Sequence, residues 1–176
     1  PTIADDIKQN SVWAILGSLV IVFFYILLRF QKWQFSLGAV SAVFHDVLIV
    51  LGIFSLTYKI MPFNMEINQA FIAALLTVIG YSLNDTVVVF DRIREFFKIH
   101  SSWDSETTVN TALNSTLSRT LNTSLTTLIV LIAIFIFGGE SIRGFMFALI
   151  IGVMVGTYSS VFIATPIMFD SYKNKN

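Results

Sequence analysis

Five stretches of this chain are too long and too apolar to be surface helices of a water-soluble protein. They cover residues 12–28, 35–58, 69–90, 120–137 and 144–169, the last with Pro166 near its end. At ~1.5 Å rise per residue, roughly 20 apolar residues cross a hydrocarbon core of about 30 Å. Backbone groups in lipid have no water to bond to, so each stretch is expected as a helix and not as an open sheet. Composition points the same way. The chain is 55% hydrophobic and 12% charged, where soluble domains carry about 25% charged residues. The expected fold is all-α, a polytopic membrane helix bundle.

Between and around these spans the chain divides simply. Residues 1–11 form a lead-in, 12–91 hold spans one to three, and 92–118 make a polar connection. Residues 119–169 hold spans four and five, and 170–176 form a tail. In "RIREFFKIH", Ile93, Phe96 and Phe97 share one face while Arg92, Glu95 and Lys98 lie elsewhere. Val109, Ala112, Leu113 and Leu117 make a second stripe. Both segments read as interfacial helices, serving either as a solvated connector or as a docking site.

Orientation follows from the cations. One side receives Arg29, Lys32, Arg92, Arg94, Lys98, Arg119, Lys173 and Lys175; the other receives Lys8, Lys59 and Arg143. The positive-inside rule places the larger group in the cytoplasm, with the N-terminus of the chain outside and the C-terminus inside. Trp13, Trp33 and Trp103 fall at span edges, where an aromatic belt belongs. A net charge of zero offers nothing to attract nucleic acid. The absence of Cys excludes disulfides, thiolate metal sites and a Cys nucleophile. From Pro1 onward no basic n-region appears, so no signal peptide is expected.

Four ionisable residues fall within or beside lipid depth: His45, Asp46, Asp85 and Arg119. A charge at the bilayer centre costs at least ~2.5–3.5 kcal/mol, so such residues pair, line a hydrated path or carry protons. Thr77, Tyr81 and Asp85 follow an i, i+4 stripe, flanked by Ser82 and Asn84. Asp85 reads either as a carboxylate gluing neighbouring helices or as a functional group. Arg119 starts the fourth span at comparable depth, and if helices three and four touch, it can pair with Asp85. Pairing favours the ionised carboxylate and separation the neutral one, the chemistry of a gated proton site. Alternatively Arg119 snorkels to headgroups.

Thr120, Thr123, Ser124, Thr126 and Thr127 crowd the same end of span four. Their hydroxyls can bond back to the i−4 carbonyl or line a hydrated path; Thr123 and Thr126 on the Arg119 face favour the path. His45 and Asp46 lie near the midplane and point about 100° apart, so they are not expected to satisfy one another simply. A neutral His45 beside a helix-paired Asp46 serves structure, whereas a titrating pair serves function. Ala148, Gly152, Gly156, Ser160 and Ala164 recur at strict four-residue spacing, which reads as close helix packing.

Two intramembrane aspartates, Asp46 and Asp85, raise the possibility of an aspartyl protease. The residues before Asp85 are "SLN" and not Gly-x-Gly, and the two carboxylates fall at different depths. No P-loop, GxSxG or HExxH is present, so no enzyme is expected. A purely structural scaffold for a partner's membrane domain is the remaining alternative.

"GYSLNDTVVVFDRIRE" at 80–95 strongly resembles the SecF signature of the SecD/SecF family of bacterial export accessory proteins. So do "HDV" at 45–47, "SRTLNTSLTTL" at 118–128 and "FIFGGESIRGF" at 135–145, all in collinear order, and "PTIADDI" at the start resembles the approach to the second SecF span. The resemblance implies a resistance-nodulation-division type of membrane domain in the bacterial inner membrane. It implies use of the proton-motive force to draw preprotein out of the channel, with no cofactor beyond protons. Asp85 matches the family's proton-relay carboxylate and Arg119 its partner arginine. Implied partners are SecD, or the SecD half of one polypeptide, the SecYEG channel, YajC and YidC, besides preprotein and lipid. A further relay carboxylate would belong to SecD. Relative to the family pattern the first span and periplasmic domain are absent, so the chain is expected to be the C-terminal piece of a SecF or of a fused SecDF.

Overall fold

The computed structural model describes residues 3–173, and side chains from 9 to 172. Lys8, Lys173 and Lys175, used above for orientation, therefore fall outside the described side chains. Six α-helices follow in order: α1 Ile3–Phe30, α2 Trp33–Thr57, α3 Gln69–Ile99, α4 Ser105–Phe137, α5 Glu140–Ser159 and α6 Thr165–Lys173. A π-helical segment, Ser160–Ala164, joins α5 to α6, so that the two form one continuous rod. Five rods result, each long and apolar enough to cross a membrane. The fold is an all-α bundle.

The helix ends have local causes. After Phe30, Gln31 turns through a positive φ of 56°, its N–H bonded to the Leu27 carbonyl at 2.8 Å, and the chain reverses into α2. Asn68 caps α3 by accepting from the Phe71 N–H at 3.1 Å. Asp104 caps α4 by accepting from the Thr107 N–H at 2.9 Å. At Gly138, which ends α4, a Cβ would collide with the Ile134 carbonyl, so a side chain does not fit there.

The first amphipathic segment differs from expectation in that it prolongs α3, while the second runs directly into the fourth span. α3 runs unbroken through Ile99, α4 begins at Ser105, and only a short turn links them. Nothing in 91–99 interrupts the i to i−4 ladder, since neither Pro nor Gly occurs there. Arg92 and Glu95 even pair along the helix at 2.7 Å. The apolar stripes instead pack inward: Ile93, Val109 and Ala112 are all buried.

Two aromatic clusters pin opposite ends of the bundle. At the α1–α2 turn, Phe30 and Phe35 stack at 5.0 Å, and Phe90 meets both edge-on. At the other end, Phe54 lies against Phe71 at 4.1 Å, and Phe63 of the α2–α3 connection meets Phe135 and Phe147. Between them α5 packs on α3 along its small residues. A Cβ on Gly152 would run into the Val78 side chain, and one on Gly156 would press on Ser82 at 3.0 Å. Ala148, Ser160 and Ala164 are fully buried along the same rod. Gly38 of α2 likewise abuts the Ala164 carbonyl, leaving no room for a side chain.

Candidate functional site

Close approach of α3 and α5 brings two carboxylates into the middle of the bundle. Asp46 of α2 has 0% exposure and Asp85 of α3 has 3%. Each meets a different set of hydroxyls.

Asp46 is fully engaged. Its Oδ2 accepts from Ser82 Oγ of α3 at 2.5 Å and from Ser159 Oγ of α5 at 2.7 Å. Its Oδ1 lies 3.1 Å from His45 Nδ1. One side chain thus ties α2, α3 and α5 together. The His45 contact corrects the sequence expectation for this adjacent pair. Although the two Cβ vectors diverge, both side chains bend along the helix surface until Nδ1 and Oδ1 meet. His45 keeps 32% of its side chain exposed.

Asp85 is held more loosely. Ser124 Oγ of α4 approaches its Oδ2 at 3.4 Å, and that same Oγ lies 2.5 Å from Thr157 Oγ1 of α5. Tyr81 OH, one turn earlier on α3, reaches Ser124 at 3.4 Å. Asp85, Tyr81, Ser124 and Thr157 therefore form one polar focus where α3, α4 and α5 meet. Asp85 makes no ion pair in this arrangement. Arg119 is exposed and lies in a shallow groove of α4 with Ser115, Ser118, Asn122, Thr123 and Thr126. The expected Asp85–Arg119 contact is absent among the described residues.

Several supporting residues fall elsewhere than expected. Thr123 and Thr126 are exposed, and their hydroxyls donate back to the Arg119 and Asn122 carbonyls at 2.7 and 2.9 Å. Thr77 does the same to Ala73, and Asn84 is exposed. The α4 residues that face the carboxylate side are Thr120 and Ser124, at 2% and 4% exposure. Sequence reading missed Thr157 and Ser159 of α5 and the role of Ser82. A usable signal existed for Ser124: Thr120 and Ser124 are four apart, as are Tyr81 and Asp85. Among the described residues no three His, Asp or Glu side chains converge as a metal site would need. Asp46 and Asp85 share no hydrogen-bond partner. Ser82, which donates to Asp46, sits three residues before Asp85 on α3, and the two acids are met by different hydroxyls. That arrangement does not build a proton-sharing dyad.

The match to known proteins spans this whole site. Residues 1–174 fit the family model described as protein export membrane protein SecD/SecF, C-terminal. The chain belongs to the SecD/SecF family. It is 57% identical over 170 residues to the protein translocase subunit SecF of Rhodothermus marinus, covering 97% of this chain and 55% of that protein. It is 48% identical to the SecF of Thermodesulfovibrio yellowstonii, covering 99% and 56%. Among solved structures it superposes on SecDF in a super-membrane-facing form with a TM-score of 0.86 at 40% identity, covering 99% of this chain and 23% of that one. A second SecDF structure, from Thermus thermophilus and described as translocon-associated, gives 0.85 at 41% identity, covering 95% and 22%. The chain thus spans about half the length of the SecF relatives it matches. The SecD/SecF resemblance read from the sequence and the family agree.

Proposed function

We propose that this chain is the membrane engine of a SecD/SecF-type export accessory, in which Asp85 binds and releases a proton to drive preprotein movement through the Sec channel. The observation that carries this reading is a buried carboxylate at a three-helix junction, met by hydroxyls and by no cation. A group built only as structural glue would be saturated with donors, as Asp46 is. Asp85 meets only the Ser124 hydroxyl at 3.4 Å, with Thr157 beside it, which leaves acceptor capacity for a proton.

Arg119 acts as the switchable partner. It waits on the exposed face of α4, on the same helix as Ser124, the residue that meets Asp85. α4, like α1, is 11% buried along its most apolar stretch, against 44% for α2, α3 and the α5–α6 rod. Its polar groove at lipid depth calls for protein cover. The SecD subunit, or the SecD half of one polypeptide, supplies that cover and a further relay carboxylate. The assembly works beside SecYEG, with YajC and YidC as associated subunits. It lies in the bacterial inner membrane with the start of this chain outside and its end inside. One proton descending 100 mV delivers ~2.3 kcal/mol.

The test is Asp85→Asn in the full-length protein, with complex levels matched to wild type. Proton-dependent export of preprotein into vesicles should fall to the level seen without a proton gradient. Undiminished export would remove Asp85 from the mechanism and leave the bundle as a scaffold.

A further inference from the structure

A cleft of about 640 Å³ opens at the α1–α2 turn, away from both carboxylates. Three cations line it: Lys32 from the turn, and Arg94 and Lys98 from the far end of α3. None of the three forms an ion pair among the described residues. Asp170 and Glu106 lie within two residues of lining positions in sequence without lining the cleft themselves, and three further carboxylates near it are engaged elsewhere. Asp91 is bound by Arg29 at 2.8 Å, Glu95 by Arg92 at 2.7 Å, and Asp104 by the Thr107 N–H. No Asp or Glu lines the cleft.

Its other walls mix aromatic rings with the polar Gln31, Ser101 and Ser105. Phe35 and Phe97 form part of the lining, and Trp103 stands at its edge, stacked on His100 at 3.8 Å. Lys32 Nζ rests 4.6 Å from the Tyr172 ring centre, and Arg94 Nη1 donates to the Arg29 carbonyl at 3.2 Å. These contacts hold two of the cations in place without neutralising them. Arg94 lies one turn beyond Asp91, the residue that closes the apolar part of α3. That puts the cations at headgroup height, with Trp103 where interfacial aromatics sit.

We propose that this cleft binds the phosphate of an anionic glycerophospholipid, with Lys32, Arg94 and Lys98 around the phosphate and an acyl chain along Phe97 and Trp103. Unpaired Lys and Arg with aromatic neighbours at a helix-bundle edge are the chemistry that selects such a headgroup. The site is separate from Asp85 and stands whether or not that residue carries protons.

The test is native mass spectrometry of the full-length protein, delipidated and then offered phosphatidylglycerol or phosphatidylcholine. Wild type should hold one phosphatidylglycerol in preference to phosphatidylcholine. Each charge removed should weaken it about 5-fold, and the triple variant Lys32→Gln/Arg94→Gln/Lys98→Gln roughly 100-fold. Lys32→Arg/Lys98→Arg should retain it. If the triple variant does not fold, Lys98→Gln alone, at an exposed side chain, reads the 5-fold loss. Equal retention by wild type and variants would overturn the proposal, as would an equal loss from Lys59→Gln at the opposite end. Release of the lipid by millimolar inorganic phosphate would overturn it in favour of a soluble anion.

Discussion

Ser82 donates to Asp46 at 2.5 Å while standing three residues before Asp85 on the same helix. The hydroxyl that secures one acid is therefore rigidly linked to the backbone of the other. Asp46 fixes where α2, α3 and α5 meet, and Asp85 stands at the adjoining turn. Asp46 meets two hydroxyls and the His45 ring, whereas Asp85 meets Ser124 at 3.4 Å.

Removal of the Asp46 carboxylate should cost stability more than removal of Asp85. Asp46→Ala strands the Ser82 hydroxyl in the core and leaves Ser159 with only the Gly156 carbonyl at 3.2 Å. An unsatisfied buried donor costs ~1–3 kcal/mol. Thermal unfolding in detergent should show a clear drop for Asp46→Ala and a smaller one for Asp85→Ala. The reverse order would mean that Asp46 is not the clamp.

Substituting Gly152 by Val should separate α3 from α5, because even its Cβ collides with Val78. Overpacking of this kind costs ~1–3 kcal/mol. Gly17→Ala is the control, since nothing lies within 4 Å of a Cβ there. That change should be neutral, or stabilising by up to ~1 kcal/mol through helix propensity. Melting curves of the two variants, taken side by side, decide the matter.

The Arg29–Asp91 pair should matter little. Both side chains are substantially exposed, at 43% and 40%. Exposed pairs contribute ~0–1 kcal/mol and weaken with salt. Arg29→Gln is expected to change the unfolding midpoint only slightly, and less at high ionic strength. A large loss would show that the Arg29 side chain carries more than its ion pair.

Acid should fray the first turn of α4. The Thr107 hydrogen bond holds the Asp104 carboxyl below its ordinary value of 3.8. A lowered value in the folded state means that the unfolded form takes up the proton first. The cap is thus fully effective above pH 3.8 and is lost as pH falls through the lower folded value. Hydrogen exchange at the Thr107 amide should quicken over that range. In Asp104→Asn, which still caps but does not titrate, the acceleration should vanish.

How far these features are visible in the residues depends on what kind of signal they leave. The five spans are plain because no other fold tolerates such apolar lengths. The burial of Asp85 is plain too, since its stripe runs through lipid depth. Its partner hydroxyl is not. Thr123 and Ser124 are neighbours of nearly the same chemistry, and only helix phase sends one to its own backbone and the other to Asp85. His45 and Asp46 diverge at Cβ, and their adjacency in sequence does not reveal that the side chains reach one another. The stretches after Asp91 carry the same amphipathic pattern whether they lie in the interface or prolong a span. Tertiary packing of Ile93 and Val109 decides it.

The π-helical segment at Ser160–Ala164 adjusts the angular phase of the last span. Pro166 has no N–H, and a regular α-helix would press its ring on the carbonyl four residues back. The wider turn relieves this, and Thr165 Oγ1 takes up the Ser160 carbonyl at 3.0 Å. It also inserts one residue relative to α-helical repeat, an offset of roughly 100°. The rod can therefore aim Gly152 and Gly156 at α3 above the segment, and Met168 into the α2 side below it, on faces that a straight helix would not align. Deleting one residue from 160–164 would rotate the lower part as a unit and uncover Met168. The segment works as a vernier between two docking faces whose directions are set independently.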